Sequence, residues 1–508
     1  MQEKESFKRI VQLSLSAVCL IAQVMVYRYL WYYYLSYEVV LQFWNKGHIL
    51  VILIYAALIF AFARMYGGMK IGYYRNSEII FSQLFAAVIV NVITYFQNSL
   101  MMMRLANPKY FISITIVDAI IIILWSFVAS FVYRCIFSAR QMLLIHGDRP
   151  YDDIIAKFNT RRDKYEICKC MSYRVGYDTI FAEILERYDA VVIWDIPSDV
   201  RNKILKYCYG KSIRVYIMPK ITDVILKGAD QLNLFDTPIL LTREYHLTIE
   251  QRFFKRLIDI VCSLILIVIS SPFMLITAIM VKAYDGGPIL YKQIRCTTGG
   301  REFKIMKFRS MSVDAEKDGV ARLSSKNDSR VTPVGKFIRK CRLDELPQLF
   351  NILKGDMSFI GPRPERPEII KQYEEIMPEF RFRTKVKAGL AGYAQVYGKY
   401  NTTPYDKLKL DLYYIENYSL WMDIKLMLLT LKILLTPDST EGVENSQITA
   451  MKQSNAEWVE KKNRLDKEAR ERLEREHAER AKHEAEVLAK QELQKLAKQE
   501  TADDLQNK

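Results

Sequence analysis

The chain has 508 residues, of which 50% are hydrophobic and 26% are charged, and its formal net charge at pH 7 is +16. This apolar fraction can bury a large core, which excludes intrinsic disorder for most of the chain. The eight cysteines are scattered and form no paired CxxC clusters, which excludes a disulfide-stapled secreted domain and gives no sign of a zinc site. The charge surplus is local, since residues 282–354 hold 16 basic and 8 acidic residues.

Four long apolar stretches precede residue 137 and predict a four-helix transmembrane bundle. They cover Ile10–Val26, Ile49–Ala63, Ile79–Phe96 and Phe111–Tyr133. No small-residue cleavage site follows the first stretch, which favours an uncleaved span over a secretory signal. Basic residues are denser before the first stretch, between the second and third, and after the fourth, so the positive-inside rule predicts that both ends of the bundle lie in the cytoplasm. Asp118, inside the fourth stretch, is expected at the membrane interface.

Residues 137–247 alternate short β-rich runs with amphipathic stretches and predict a small Rossmann-like α/β domain with a parallel sheet. The predicted strands are Met142–Ile145, Ala190–Trp194, Ile213–Met218 and Ile239–Leu241. The sequence after the first strand is HGDRP, with one glycine where a dinucleotide-binding turn has three. This degenerate motif favours a regulatory or oligomerising module over a nucleotide-binding one.

A fifth apolar stretch, Leu257–Val281, is long enough to span a bilayer but is predicted to enter and leave one leaflet as a helix–break–helix. Ser271 and Pro272 lie near its midpoint, where proline removes a helix hydrogen bond and the serine hydroxyl can satisfy a freed carbonyl. Lys255 and Arg256 at its start are expected to anchor it at the membrane interface. A full span would place the basic segment that follows outside the cell, against the positive-inside rule.

The segment after this stretch combines cations with adjacent carboxylates. Arg339 shortly precedes Asp344 and Glu345, and Arg363 stands between two prolines that fix its loop. This pattern suits phosphoryl transfer, in which cations offset phosphate charge, one carboxylate attacks phosphorus and its neighbour holds a divalent metal. From these residues alone two other interpretations stay open. They are a solvated helix cap for the acidic pair and a lipid-headgroup contact for the basic segment.

The motifs of this segment resemble those of the bacterial sugar transferases, the monotopic polyprenyl-phosphate hexose-1-phosphate transferases. Over roughly residues 252–437 the chain carries KRLID, FKIMKFRSM, LDELPQLFNILKGDMSFIGPRP, GYAQVYG and LDLYYIENYS in family order. The upstream apolar stretches and α/β region are similar to those of large-form members, which initiate exopolysaccharide, capsule or O-antigen synthesis. The chain departs from the family pattern at Cys296, where proline is usual, and at Ala388, which begins AGLAG where PGITG is common.

The resemblance implies an enzyme whose substrates are a UDP-hexose, of glucose or galactose, and undecaprenyl phosphate. Asp344 would attack the β-phosphorus of the UDP-sugar, release UMP and pass the phosphosugar to undecaprenyl phosphate. Glu345 would assist, and the two carboxylates would hold Mg²⁺. The cations expected to bind phosphate or nucleotide groups are Arg339, Arg363, Arg295 and Lys307.

The predicted organisation comprises the transmembrane bundle, the Rossmann-like domain, the re-entrant hairpin, an α-rich catalytic domain and a charged C-terminal helix. Their boundaries are 1–136, 137–247, 248–282, 283–440 and 441–508. The protein is expected as a homodimer in the bacterial cytoplasmic membrane, with its catalytic domain on the cytoplasmic face, in contact with anionic lipid headgroups and without nucleic acid. The alternatives are a non-catalytic scaffold that recruits polysaccharide assembly partners, and a nucleotide-dependent sugar-modifying enzyme centred on 141–247. The complete motif disfavours the first, and the missing glycines disfavour the second.

Overall fold

The structure is a computed structural model, which describes residues 7–41, 44–242, 247–313, 328, 330–398 and 402–434. The charged helix predicted at 441–508 lies outside the described residues. One compact unit contains the described residues up to 313 together with 330–367 and 381–434. Residues 368–380 belong to a second unit, in which the ring centroids of Tyr373 and Phe380 lie 4.7 Å apart.

Four long helices make up the N-terminal region, namely α1 (Lys8–Leu30), α2 (Asn45–Tyr66), α3 (Asn76–Met101) and α4 (Pro108–Ile136). A π-helical turn and a short 3-10 turn extend α1 to residue 38. Each helix is long and apolar enough to cross a membrane, judged by length and composition. Buried side chains from all four meet in one hydrophobic cluster. The predicted apolar stretches therefore lie in helices that pack on one another.

Asp118 is enclosed between these helices. Its side chain is fully buried, and its Oδ2 accepts a hydrogen bond from Asn91 Nδ2 at 3.1 Å. Asn91 Oδ1 in turn accepts one from the Tyr55 hydroxyl at 3.0 Å. The sequence predicts an interfacial carboxylate because it shows where Asp118 lies along one helix, but not which polar groups the neighbouring helices bring to it.

A small α/β domain follows α4, as predicted. Its first elements are β1 (Arg140–His146), α5 (Asp152–Asn159), β2 (Tyr165–Ser172), α6 (Tyr177–Arg187), β3 (Ala190–Trp194), α7 (Ser198–Gly210), β4 (Arg214–Ile217) and α8 (Ile221–Lys227). The strands form a parallel sheet in the order β2-β1-β3-β4, which confirms the predicted parallel arrangement. The central strands carry apolar side chains on both faces. These side chains contribute to two hydrophobic clusters, one on each face of the sheet.

Two strands of this domain differ from the sequence prediction. β2 reads YEICKCMS and was not predicted, because its polar residues leave no continuous apolar run. The predicted strand Ile239–Leu241 lies in β6 (Thr237–Leu241), which pairs antiparallel with β5 (Asp230–Leu234) outside the parallel sheet. A β-rich run predicts extended backbone, but it does not identify the partner strand.

The fifth apolar stretch is one continuous helix, α9 (Ile249–Asp285). The predicted break in the helix at Ser271 and Pro272 is therefore wrong, because the helix continues through both residues. Pro272 has no N–H to offer the Val268 carbonyl, but the Ser271 hydroxyl donates to that carbonyl at 2.8 Å and replaces the missing bond. This helix is also long and apolar enough to cross a membrane. Its re-entry into one leaflet stays a prediction.

The remaining elements form the α-rich segment in which the catalytic residues are predicted. They are β7 (Leu290–Cys296), β8 (Glu302–Phe308), α10 (Pro333–Lys340), α11 (Gln348–Lys354), β9 (Ser358–Ile360), α12 (Pro367–Ile376), β10 (Gly389–Ala391), α13 (Tyr393–Tyr397), α14 (Pro404–Glu416) and α15 (Leu420–Leu434). Both ends of α9 contact this segment. Asp259 near the start accepts a hydrogen bond from the Phe359 N–H at 2.9 Å, and Val281 near the end packs with Phe308 and Ile338.

Lys255 and Arg256, the two residues predicted to anchor α9 at the membrane interface, contact other parts of the protein. Lys255 is 7% exposed, and its ammonium group donates to the Ile360 carbonyl at 2.9 Å and pairs with Asp423 at 2.6 Å. Arg256 donates to two carbonyls in the last turn of α11, at 2.7 and 2.6 Å. These contacts differ from the membrane-interface anchoring predicted for both residues. Basic residues that flank an apolar helix suggest headgroup contacts, but here folded protein supplies the anionic and carbonyl partners.

Replacing Lys255 with methionine is expected to destabilise the protein by about 3–5 kcal/mol, because the buried Asp423 carboxylate loses its cation. Lys354→Met, which removes an exposed ion pair with Asp356, is the control and is expected to cost less than about 1 kcal/mol. Denaturant unfolding of both variants in lipid nanodiscs measures the difference. A Lys255 variant as stable as the wild-type protein would contradict the buried ion pair between Lys255 and Asp423.

Cysteine labelling in intact cells, in a background without native cysteines, tests the predicted topology. If α9 returns to the leaflet that it entered, a cysteine in place of Lys282 is protected from a membrane-impermeant maleimide. A cysteine in place of Arg104, between α3 and α4, should be labelled, because the positive-inside rule puts that loop outside. Labelling at both positions would mean that α9 crosses the membrane.

Candidate active site

A short turn between α10 and α11 carries the two carboxylates predicted from the sequence. The Thr332 hydroxyl caps α10 by accepting a hydrogen bond from the Gly335 N–H at 2.9 Å. After α10 ends, Arg342 adopts a left-handed conformation with φ of +56°, which costs a non-glycine residue about 1–2 kcal/mol. The chain then forms the 3-10 turn that contains Asp344 and Glu345. Strained backbone of this kind concentrates at functional sites.

Glu345 is held between two cations. Its Oε1 accepts hydrogen bonds from Lys307 Nζ at 2.9 Å and from Arg363 Nη2 at 3.1 Å. Burial alone would raise the pKa of this carboxyl group, but Lys307 and Arg363 outweigh burial and hold the pKa well below its usual range. Glu345 is therefore ionised at neutral pH, and its charge is neutralised locally.

Asp344 occupies a different environment from its neighbour. Its side chain is 8% exposed, and its buried Oδ1 has no hydrogen-bond partner among the described residues. Burial first, and then the negative charge of Glu345, raise the pKa of Asp344, while Lys307, Arg339 and Arg342 oppose the shift. The two adjacent carboxylates thus differ in basicity, and one oxygen of the more basic carboxylate accepts no hydrogen bond from the described residues.

A third carboxylate supports the loop that carries Arg363. Glu365 accepts a hydrogen bond from Lys407 at 2.6 Å and lies 3.7 Å from Arg295 and 4.0 Å from Arg383. Burial would raise the pKa of Glu365, but Lys407 and Arg383 outweigh burial and lower it to about 2. The loop therefore keeps a fixed negative charge among cations that would otherwise repel one another.

Arg383 joins this loop to α14. Its Nε pairs with Asp411 at 2.6 Å, and its Nη2 donates to the Arg363 carbonyl at 3.1 Å. Asp411 is 1% exposed, so the ion pair belongs to the core. Arg383, Lys407 and Asp411 were not predicted from the sequence as site residues. The one available signal is the spacing of Lys407 and Asp411, which puts both on one face of a helix.

The structure places the other predicted cations at different distances from the acidic pair. Arg339 lies in the last turn of α10, where its charge favours the ionised form of Asp344. Arg295 donates to the Pro364 carbonyl at 3.2 Å and contacts Glu365. Arg295 therefore supports the loop of Arg363, while Lys307 and Arg363 contact the acidic pair directly.

The acidic pair fits a divalent cation that draws most of its ligands from substrate. Mg²⁺ usually binds one or two protein carboxylates and completes its shell with water and substrate phosphates. Asp344 Oδ1 offers an unused oxygen, whereas Glu345 Oε1 is engaged by two cations. In the part of the chain that the structure describes, no three His, Cys, Asp or Glu side chains are grouped to hold a metal ion by themselves.

Comparison with known proteins identifies the segment that holds this site. Residues 250–437 match the family model described as bacterial sugar transferase. The UDP-N-acetylgalactosamine-undecaprenyl-phosphate N-acetylgalactosaminephosphotransferase of Aeromonas hydrophila is 39% identical over 49% of this chain and 60% of its own length. The UDP-glucose:undecaprenyl-phosphate glucose-1-phosphate transferase of Klebsiella pneumoniae is 36% identical over 48% of this chain and 51% of its own length. The match thus spans between half and three fifths of these two relatives.

A shorter relative is matched over most of its length. The UDP-glucose:undecaprenyl-phosphate glucose-1-phosphate transferase of Caulobacter vibrioides is 38% identical over 36% of this chain and 71% of its own length. The matched segment contains the acidic pair, both of its cations and the supporting ion pairs. This chain therefore belongs to the bacterial sugar transferase family.

Proposed function

We propose that this protein transfers a hexose-1-phosphate from a UDP-sugar to undecaprenyl phosphate and so begins the lipid-linked synthesis of a bacterial polysaccharide. Relatives named for undecaprenyl-phosphate sugar phosphotransfer match the segment with the acidic pair. The observation that carries the proposal is the buried Asp344 Oδ1, which has no hydrogen-bond partner among the described residues and lies beside a carboxylate that two cations neutralise. A buried unsatisfied oxygen costs about 1–3 kcal/mol, and a non-catalytic scaffold would gain nothing in return.

In the first half-reaction an Asp344 carboxylate oxygen attacks the β-phosphorus of the UDP-sugar. The new bond joins that oxygen to phosphorus, and the bond from phosphorus to the oxygen that bridges the two phosphates breaks. UMP leaves with the electron pair, and the phosphosugar stays on Asp344 as an acyl phosphate. The raised pKa of Asp344 favours this step, because the more basic of the two carboxylates is the better nucleophile.

In the second half-reaction an oxygen of undecaprenyl phosphate attacks the same phosphorus. The bond between phosphorus and the Asp344 oxygen breaks, which restores the carboxylate and releases undecaprenyl-diphospho-sugar. No proton is consumed overall, since each step exchanges one phosphorus–oxygen bond for another. The acyl phosphate reacts readily because its leaving group is a stable carboxylate.

The cations of the site offset the charge of the phosphates. Lys307 and Arg363 lie on the Glu345 side, and Arg339 lies on the α10 side of Asp344, so an incoming diphosphate meets positive charge from two directions. Asp344 and Glu345 are the residues that would hold Mg²⁺, which when bound supplies further positive charge to the diphosphate.

The proposed location is the cytoplasmic face of the bacterial inner membrane. Among the described residues, five helices are long and apolar enough to cross a bilayer, judged by length and composition. Contact of one segment with both ends of α9 supports re-entry, because a straight span would carry those ends to opposite sides of the membrane. A site held at the membrane surface can reach the phosphate of its lipid substrate. A homodimer and contacts with anionic headgroups belong to the same proposal.

Asp344→Asn is expected to lower transfer of labelled sugar phosphate to lipid by roughly 10⁴-fold, because an amide cannot form the acyl phosphate. Membrane fractions receive undecaprenyl phosphate, Mg²⁺ and a panel of labelled UDP-sugars, including glucose, galactose and N-acetylgalactosamine. Asp236→Asn, at the exposed turn between β5 and β6, is the matched control and should retain full activity. If the Asp344 variant transferred sugar phosphate at the wild-type rate, Asp344 would not be the nucleophile. If the wild-type protein transfers none of the sugars, the scaffold alternative gains support.

The first half-reaction is expected to slow below about pH 6, because Asp344 must be ionised to attack and its pKa is raised to about 6. UMP release without lipid acceptor isolates this step from the acceptor phosphate, which titrates in the same range. Glu345→Gln removes a negative neighbour and should move the midpoint to lower pH, whereas Lys307→Met removes a cation and should move it to higher pH. A midpoint unchanged in both variants would mean that a different group controls the step.

A further inference from the structure

The ligand-binding edge of the α/β sheet is occupied by protein. In open parallel sheets, ligands bind beyond the carboxyl ends of the strands. Here the Gly147 N–H, directly after β1, donates to the Trp194 carbonyl at 3.0 Å and is therefore not available to a phosphate. The Arg149 guanidinium lies 5.3 Å from the Trp194 ring and 5.7 Å from the ring of Tyr405, which belongs to α14 of the sugar transferase segment.

One face of α14 contacts the α/β domain along its length. Tyr405 meets Arg149 near its start, and the Tyr413 ring lies 4.8 Å from Lys227 Nζ at the end of α8. Gly228 packs so closely on Glu416 that a side-chain carbon at position 228 would lie 2.6 Å from the Glu416 Cβ. At 100° per residue the three α14 residues fall within about 80° of one another around the helix.

The opposite face of α14 supports the active site. Lys407 pairs with Glu365, and Asp411 pairs with Arg383, which also holds the Arg363 carbonyl. Lys407 and Asp411 lie roughly 160–200° around the helix from the centre of the first face. The helix therefore passes between the α/β domain and the two ion pairs that fix the loop of Arg363.

We propose that the α/β domain is a positioning module for the sugar transferase site and acts through α14 on Arg363. Docking of the domain on one face of α14 fixes the ion pairs on the other face, and these hold Arg363 against Glu345. Arg149 and Gly228 are positioning residues in this scheme, since neither contacts the acidic pair. The activity measured in the test below rests on the proposed function, whereas the exchange measurement does not.

Gly228→Ala inserts a steric wedge between the domain and α14. The φ of Gly228 is −89°, so alanine fits the local backbone, but its Cβ would also lie 2.9 Å from the Glu416 carbonyl oxygen. Gly210→Ala is the matched control, because Gly210 lies in the same domain and, apart from its chain neighbours and its own helix backbone, no atom of the described residues lies within 4 Å of the added carbon. We expect kcat/KM for UMP release to fall about 10- to 100-fold in the Gly228 variant and to stay within twofold in the control.

The effect of the wedge is expected to depend on Arg363. In an Arg363→Met background the Gly228 substitution should cause little further loss, because the two changes act through the same side chain. Additive losses would contradict the proposal, since they would mean that the wedge lowers activity by general destabilisation. Arg149→Met adds no bulk and gives a second variant, expected to change kcat/KM in the same direction by a smaller factor.

Hydrogen exchange in the full-length protein in nanodiscs provides a readout besides activity. The Cys296 amide donates to the Glu365 carbonyl at 3.0 Å, and the Gly389 amide donates to the Pro362 carbonyl at 2.9 Å, so both amides report on the Arg363 loop. Faster exchange at both amides in the Gly228 variant is expected. Faster exchange confined to α8 and α14 would overturn the coupling. If the wild-type protein releases no UMP from any UDP-sugar, the proposed function fails, and exchange alone still decides this inference.

Discussion

The pairing of Glu345 with Lys307 and Arg363 is the interaction on which the rest of the site depends. Two unit charges 4 Å apart repel by about 4 kcal/mol in the partly screened interior near a protein surface. Adjacent ionised carboxylates are therefore tolerated only when other charges offset one of them. Because two cations bind Glu345, the Asp344 carboxylate can share its turn although its Oδ1 has no hydrogen-bond partner among the described residues.

The charges around the loop of Arg363 must also be balanced. Arg363 stands near other cations, and repulsion among them would move its loop unless carboxylates were placed between them. Glu365 and Asp411 fill these places, so positive and negative groups alternate from the acidic pair to α14. The geometry at Glu345 thus depends on residues that are distant in sequence and come from several elements.

Local sequence properties predicted a large part of this architecture. Apolar length located the long helices, and β-rich runs located the central strands, because each reflects a property of a short segment. The acidic pair and Arg363 were found because they lie in compact motifs. Arg383 and the true setting of Lys255 were not found, because their partners lie far away in the sequence. The break predicted at Pro272 did not occur, since a neighbouring hydroxyl replaced the lost hydrogen bond.

The middle of α9 exposes a stretch of apolar side chains whose length can be compared with the thickness of a bilayer. Buried side chains in the first half of α9 end at Ser263, and packing on the sugar transferase segment resumes near Met274. The side chains of Val268 and Ile269 between these positions are exposed. The stretch between Ser263 and Met274 rises about 15 Å at 1.5 Å per residue, which is half the thickness of a hydrocarbon core of about 30 Å. If α9 returns to the leaflet that it entered, as we propose, this exposed stretch contacts the lipids of that leaflet alone. The total thickness of the bilayer would then matter little to the depth of the site.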